Sequence, residues 1–319
     1  NPGYLDGDYT NYEKCIDGAC AMLANAPYLT TDTTNDAIAA LAGSEPFFLW
    51  IGYNAAHGPR HAPPASLHGY GPLDCTPLAQ QPTCHKAMIE ALDTELARLL
   101  AAVDWSDTTV VVVADNGAPR RAIEFPFQAE LGKGTVYEGG VRTPLIVAGP
   151  SVAPEAVGRV ASAIVQASDL FATVLDLAGL DGERPSSISF APHLRDPTAP
   201  PRRAWALVES FVPNGGPPDP ARRHDRAVRN ARFKLVEETF QGEISTAYFD
   251  LVGPPLDPFE YRDMLQWSAL PADAAAVLPT LETALDNGGA VPVPALASAL
   301  GAAAALATGG IGIGLLLRR

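Results

Sequence analysis

Val110-Val111-Val112-Val113-Ala114-Asp115-Asn116-Gly117 is the stretch on which the fold turns. Four β-branched residues in a row, without polar alternation, predict a strand buried on both faces. The run stops abruptly at an Asp and an Asn followed by Gly. Open α/β sheets bind their ligands beyond the carboxyl ends of such strands. A carboxylate and an amide oxygen are hard donors, suited to Ca²⁺ or Mg²⁺ rather than zinc. The same Asp-Asn-Gly also reads as an ordinary turn, so its neighbours have to decide.

Outward from that strand, the chain alternates. Pro46-Phe47-Phe48-Leu49-Trp50-Ile51-Gly52 predicts a second buried strand. Lys86 to Val103 places Met88, Ile89, Leu92, Leu96, Leu99, Leu100 and Val103 on one helical stripe. Leu145-Ile146-Val147 and Ala163-Ile164-Val165 predict further strands, and Ser168 to Ala178 predicts a helix closed by Gly179. The expected fold is α/β, with a mostly parallel central sheet flanked by helices over residues 1–180. Residues 181–225, rich in Pro, Arg and Asp, read as a loop-heavy connection. Phe233–Val236 and Ala247–Leu251 then predict a small antiparallel sheet turning near Gln241-Gly242. A helix is expected from Pro271 to Leu285, stopped at Asn287-Gly288-Gly289, so that residues 181–288 form a connection and small subdomain.

Composition narrows the function. The 319 residues carry 22 Lys+Arg against 36 Asp+Glu, a net charge of −14. No phosphate-neutralising basic stripe is present, so nucleic acid is excluded as a partner. At 47% hydrophobic the chain buries a sizeable core. The four cysteines form two close pairs, Cys15/Cys20 and Cys75/Cys84, without the spacing of zinc or thioredoxin-like sites. Two disulfide-closed loops in an oxidising compartment are expected, against the alternative of four thiols.

Two more segments carry chemistry. Asn54-Ala55-Ala56-His57-Gly58-Pro59-Arg60-His61 follows a predicted strand, so His57 sits just beyond a strand end. Leu131-Gly132-Lys133-Gly134-Thr135-Val136-Tyr137-Glu138-Gly139-Gly140-Val141-Arg142-Thr143-Pro144 flanks Lys133 with glycines, which let a backbone approach a ligand while the ammonium offers point charge to an anion. A loop histidine is also a common surface residue, and Glu138 with Arg142 is expected to form a structural ion pair.

Taken together, YNAAHGP, ADNG and GKGTVYEGGVRTP, in that order, resemble the sulfatase family of the alkaline-phosphatase-like superfamily. The likeness continues through Gln166–Asp176, Arg232–Leu235 and Tyr248–Leu251 and spans about residues 28–285. It implies that Asp115 and Asn116 ligate Ca²⁺ (Mg²⁺ being the less favoured ion). It implies that His57 and Lys133 contact the sulfate and stabilise the leaving oxygen, with His61 a substitute for His57 in substrate binding. It also implies a sulfated small molecule or glycan as partner. Sulfatases of this family need a formylglycine made from Cys or Ser in a C/S-x-P-S-R motif, and an early Asp pair. Neither is in this sequence; Cys75-Thr76-Pro77-Leu78-Ala79 lacks the Ser-Arg and reads as a disulfide loop. The chain, which starts at Asn1, is therefore expected to be the C-terminal portion of a sulfatase, with the nucleophile segment upstream and little turnover alone. A phosphodiesterase or phosphonate monoester hydrolase of the same superfamily, and a non-catalytic glycan-binding surface protein, are the alternatives.

Ala295 to Leu317 contains 23 uncharged residues between Val291-Pro292-Val293-Pro294 and Arg318-Arg319. As a helix it would reach roughly 34 Å, enough to span a bilayer. It resembles the C-terminal sorting signals handled by exosortase-like systems, which implies an exported, periplasmic or cell-surface protein. Residues 289–319 are then an anchor tail, with membrane or sorting-machinery contact through 291–319.

Overall fold

The computed structural model describes residues 9–43, 45–180, 184, 186–212, 222–253, 257–288 and, as backbone, 313–318. In chain order the elements begin with β1 (Tyr12–Ile16), β2 (Ala19–Leu23), α1 (Leu29–Leu41), β3 (Phe47–Gly52), α2 (Gln81–Leu100) and β4 (Thr108–Val113). There follow α3 (Glu138–Val141), β5 (Leu145–Ala148), α4 (Asp169–Leu177), α5 (Ala191–Arg195), β6 (Ala206–Val212), β7 (Arg223–Arg229), β8 (Phe233–Phe240) and β9 (Glu243–Asp250). The chain closes with α6 (Ala272–Asp286) and β10 (Ile313–Arg318). They fall into two compact units: residues 1–115, 144–150 and 306–319, and residues 116–143 and 151–305.

The first unit holds a four-stranded sheet in the order β3-β10-β4-β5. β10 runs against both of its neighbours, so β3 and β4 point the same way, and β5 runs against β4. The valines of β4 are buried or half-buried as their β-branched run requires. The core gathers Tyr53, Met88, Leu92, Leu99 and Val110 between sheet and helices. Along α2, Met88, Leu92 and Leu99 face inward as the stripe predicts, while Ile89 is exposed. β1 and β2 form a hairpin turning through Asp17 and Gly18, both at positive φ, the geometry of a tight two-residue turn. Both expected disulfides are present, Cys15–Cys20 across that hairpin and Cys75–Cys84 tying a loop to α2.

β10 departs from the sequence reading. The expected apolar helix over 295–317 lies mostly outside the described residues, but Ile313–Arg318 is extended and paired on both edges. A sheet slot between two apolar strands satisfies every backbone group of such a run without a helix. Among the described residues no helix is long and apolar enough to cross a membrane.

The second unit is built on an antiparallel sheet, β6-β7-β8-β9. Alternation sorts its side chains to two faces. Val228, Leu235 and Tyr248 pack with Leu281 and Leu285 of α6, whereas Ala227, Val236 and Phe249 pack with Val136 and Tyr137 of the glycine-rich segment. The β8–β9 turn falls at Gln241-Gly242 as expected, both at positive φ, and α4 and α6 match their predicted spans within a few residues. Two expectations are corrected here. Ala163–Val165 is not a strand, since three residues without a partner strand gain no ladder. The supposed connection 181–225 contains α5, β6 and the start of β7; Glu209 and Ser210 hide β6 by interrupting its apolar run.

Candidate functional site

In the first unit, β3 delivers the chain through Tyr53 into the His57 loop. Tyr53 is fully buried and its hydroxyl lies 2.9 Å from Thr34 Oγ1. The loop closes on itself through His57 N–H donating to Asn54 O (2.8 Å). The buried Tyr9 hydroxyl then donates to both Asn54 O (2.8 Å) and His57 O (2.9 Å), so one phenol fixes two carbonyls. His57 is half-buried, with Nδ1 2.9 Å from Gly58 O. A carbonyl there selects the Nδ1–H tautomer in the neutral ring, which leaves Nε2 as the ring's acceptor nitrogen. His61 differs. Its Nδ1 faces Pro59 O (2.9 Å), its Nε2 faces the Tyr28 hydroxyl (3.1 Å), and its ring lies 4.2 Å from that of Tyr9. Beneath the loop, His85 of α2 is buried; burial, aided by the charge of Arg60, pushes its pKa down to about 4, partly opposed by a hydrogen bond with the Ala56 backbone. At the end of β4, Ala114 N–H donates to Pro144 O (3.2 Å) and Asp115 emerges exposed.

In the second unit, Asn116 opens a turn that is stitched to the Lys133 loop. Gly117 N–H donates to Gly140 O (2.8 Å), and Lys133 N–H donates to Ala118 O (2.9 Å). The approach is so close that a Cβ on Gly117 would collide with Gly139 O, and one on Gly132 would lie 2.7 Å from Ala118 O. These glycines are there because backbone sits against backbone, with no room for a side chain. Thr135 turns the loop by donating from both N and Oγ1 to Gly132 O (3.1 and 2.9 Å). Lys133 is thereby presented from a tight frame, with its own side chain exposed.

The sequence model of the Sulfatase family matches residues 4–180, more than half of the chain. The chain belongs to the sulfatase family. Among sulfatases it is similar to arylsulfatase J of Mus musculus (25% identity over 191 residues, 54% of this chain and 31% of that protein). It is also similar to N-acetylgalactosamine-6-sulfatase of Canis lupus familiaris (30% over 149 residues, 44% and 26%) and N-acetylglucosamine-6-sulfatase of Capra hircus (24% over 242 residues, 63% and 42%). The chain thus spans less than half the length of these curated relatives. Its fold is similar to yidJ from Bacteroides fragilis (TM-score 0.63, 17% identity, 88% of this chain and 63% of that one). A 2-O GAG sulfatase has TM-score 0.53 at 20% identity, with 82% and 62% covered. These likenesses support the α/β class.

Against a sulfatase metal, the donor set fits in kind and falls short in number. Asp115 and Asn116 offer hard oxygens, whereas Ca²⁺ takes about six to eight. Among the described residues, the single group of three His, Cys, Asp or Glu ligand atoms within 4.8 Å of one another is Glu13, Cys15 and Cys20, whose sulfurs are joined in a disulfide. The expected pairing of Glu138 with Arg142 is corrected. Glu138 is buried and pairs with Arg229 Nη1 (2.7 Å) and Lys234 Nζ (3.1 Å), two β-sheet cations about 90 residues downstream that no local spacing reveals. Tyr9 and Glu260 likewise carry no sequence signal of their own, whereas Lys234 sits in the quoted hairpin motif.

Proposed function

We propose that the chain is the C-terminal portion of a sulfuric ester hydrolase acting on sulfate esters of carbohydrates or aryl alcohols. The observation that carries this reading is the lysine loop: GKGTVYEGG is a sulfatase motif, and its glycines hold Lys133 in a frame against the Asn116-Gly117 turn. In this reading residues 1–180 belong to the catalytic domain and 181–288 to a smaller subdomain, while the expected sorting tail over 289–319 gives way at its end to β10, which fills a slot in the central sheet. Asp115 and Asn116 would hold part of a Ca²⁺ shell, or Mg²⁺ in its place, and such an ion would supply charge withdrawal from sulfate oxygens. Formylglycine belongs to a segment upstream. Lys133 offers its ammonium to the sulfate and the departing oxygen, and His57 Nε2 works on the same group, with His61 as the weaker candidate for binding. Two disulfides favour an exported, oxidising location.

The test is turnover by the complete protein. It is expected to cleave an aryl sulfate faster than an aryl phosphate monoester or diester, and Lys133→Ala is expected to lower kcat about 10²–10³-fold. Faster phosphodiester or phosphonate cleavage would replace the reading with that of a related hydrolase. Sulfated-glycan binding without turnover of either ester would replace it with a binding module.

A further inference from the structure

Lys133 sits midway between two residues that reach the same downstream turn. Gln128, five positions before it, donates from Nε2 to Phe259 O (3.2 Å) and Glu260 O (2.9 Å). Glu138, five positions after it, donates its backbone N–H to Glu260 Oε2 (2.6 Å). The other oxygen of Glu260 lies 2.8 Å from Lys234 Nζ, and Lys234 returns to the Glu138 carboxylate at 3.1 Å. Glu138, Lys234, Glu260 and Gln128 therefore close a circuit around both ends of the lysine loop. Arg229 completes it at 2.7 Å from Glu138 Oε2, giving two anions and two cations. Further contacts reinforce the upstream end: Tyr261 donates its hydroxyl to Pro126 O (2.7 Å), and the rings of Phe127 and Phe259 meet edge to face at 5.0 Å.

The circuit is costly to build. The side chains of Glu138, Lys234 and Glu260 are each about 1% exposed. Burial lifts the Glu260 carboxyl above its ordinary range, and the Lys234 ammonium and the Glu138 amide pull it back. Glu260 also has φ +59°, a left-handed conformation that a side-chain-bearing residue adopts at a price. Asp257 holds the turn in that shape by accepting from Tyr261 N (2.9 Å) and Arg262 N (2.7 Å). Apolar residues would fill the same volume at no electrostatic cost, but they would not fix the Glu138 backbone amide, which needs the Glu260 carboxylate, whereas Gln128 is held by main-chain carbonyls of the same turn.

We propose that Lys234 and Glu260, with Arg229, are positioning residues: they clamp the 128–138 loop at both ends and so set where the Lys133 ammonium stands. The clamp stands on geometry alone, while its effect on turnover rests on the sulfatase reading. Two readouts keep these apart. The first is hydrogen–deuterium exchange in this chain. Glu260→Gln and Lys234→Met are each expected to speed exchange of amides 129–140 at least tenfold while α4 is unchanged. Equal acceleration in α4, or no acceleration in the loop, overturns the clamp. The second is steady-state kinetics of the complete protein on 4-nitrophenyl sulfate, using Lys234→Met and the double variant Lys234→Met/Glu260→Leu. The double variant leaves Glu138 paired with Arg229, so its melting temperature is expected to recover relative to Lys234→Met. A positioning role keeps its kcat at least tenfold down, with KM changed less than threefold, although the fold is restored. Return of kcat together with the melting temperature means the residues are structural only and overturns the proposal. Absence of sulfate ester turnover in the unsubstituted protein would sink the sulfatase reading, and the exchange readout would still decide the clamp.

Discussion

The His57 loop and the Lys133 loop both present a polar side chain from a tight loop, yet they are fastened by opposite chemistry. The His57 loop is held by neutral groups: one tyrosine hydroxyl bridging two carbonyls, a neighbouring His–Tyr ring cluster and a buried histidine pressed toward its neutral form. The Lys133 loop is held by backbone-on-backbone glycine contacts and by a buried circuit of full charges. Neutral hydrogen bonds contribute about 1 kcal/mol each and fail one at a time. A buried ionic circuit fails as a unit, because removing one member strands the others. The first loop should therefore tolerate substitution and respond to acid, whereas the second should tolerate little.

Four predictions put that contrast to the test. Lys234→Met leaves Glu138 with Arg229 and takes the Lys234 cation from the buried Glu260 carboxylate, and a loss of about 4 kcal/mol is expected in urea unfolding followed through the second unit; a loss under 1 kcal/mol would show that the circuit contributes little. Gly117→Ala forces a methyl against the Gly139 carbonyl, and about 3 kcal/mol of destabilisation is expected in the same assay.

Acid should act on the first unit. His85 has a pKa of about 4 in the folded chain against 6.5 as its ordinary value. The unfolded chain therefore binds more protons between those values. The neutral ring's contribution is fully present above pH 6.5 and is lost as the pH falls toward 4, by up to about 3 kcal/mol. Chemical unfolding at pH 7 and pH 4 should show this loss, reduced in His85→Gln; an equal loss in both proteins would place the acid sensitivity elsewhere. The smallest effect is expected for Tyr9→Phe, about 1.5 kcal/mol for two carbonyls deprived of one donor. Exchange at the His57 amide should rise in that variant while the Lys133 amide stays unchanged.

What was legible in the sequence follows the same division. Local patterns were readable: the valine run of β4, the apolar stripe of α2, the Gln241-Gly242 turn, the two disulfides and the glycine-flanked lysine. Each rests on residues within about ten positions of one another. The fastenings were not readable, because Tyr9 finds His57, and Glu138 finds Lys234, only after folding. Glu138 was expected to take the nearest cation in sequence, Arg142, and took two from β7 and β8 instead. β6 was missed because Glu209 and Ser210 break its apolar run. The extended form of Ile313–Arg318 was missed because an apolar run carries no period that separates helix from strand.

β10 also gives the fold a timetable. Ile313 pairs with Gly52 on one side and with Val113, 200 positions earlier in the chain, on the other. At about 5–20 residues per second of synthesis, roughly 10–40 s pass after β4 is made before its neighbour exists. Throughout that interval the inner edges of β3 and β4 have no partner in their sheet. The newborn chain must keep two open strand edges from pairing with other chains, and its hazard is greatest on the ribosome.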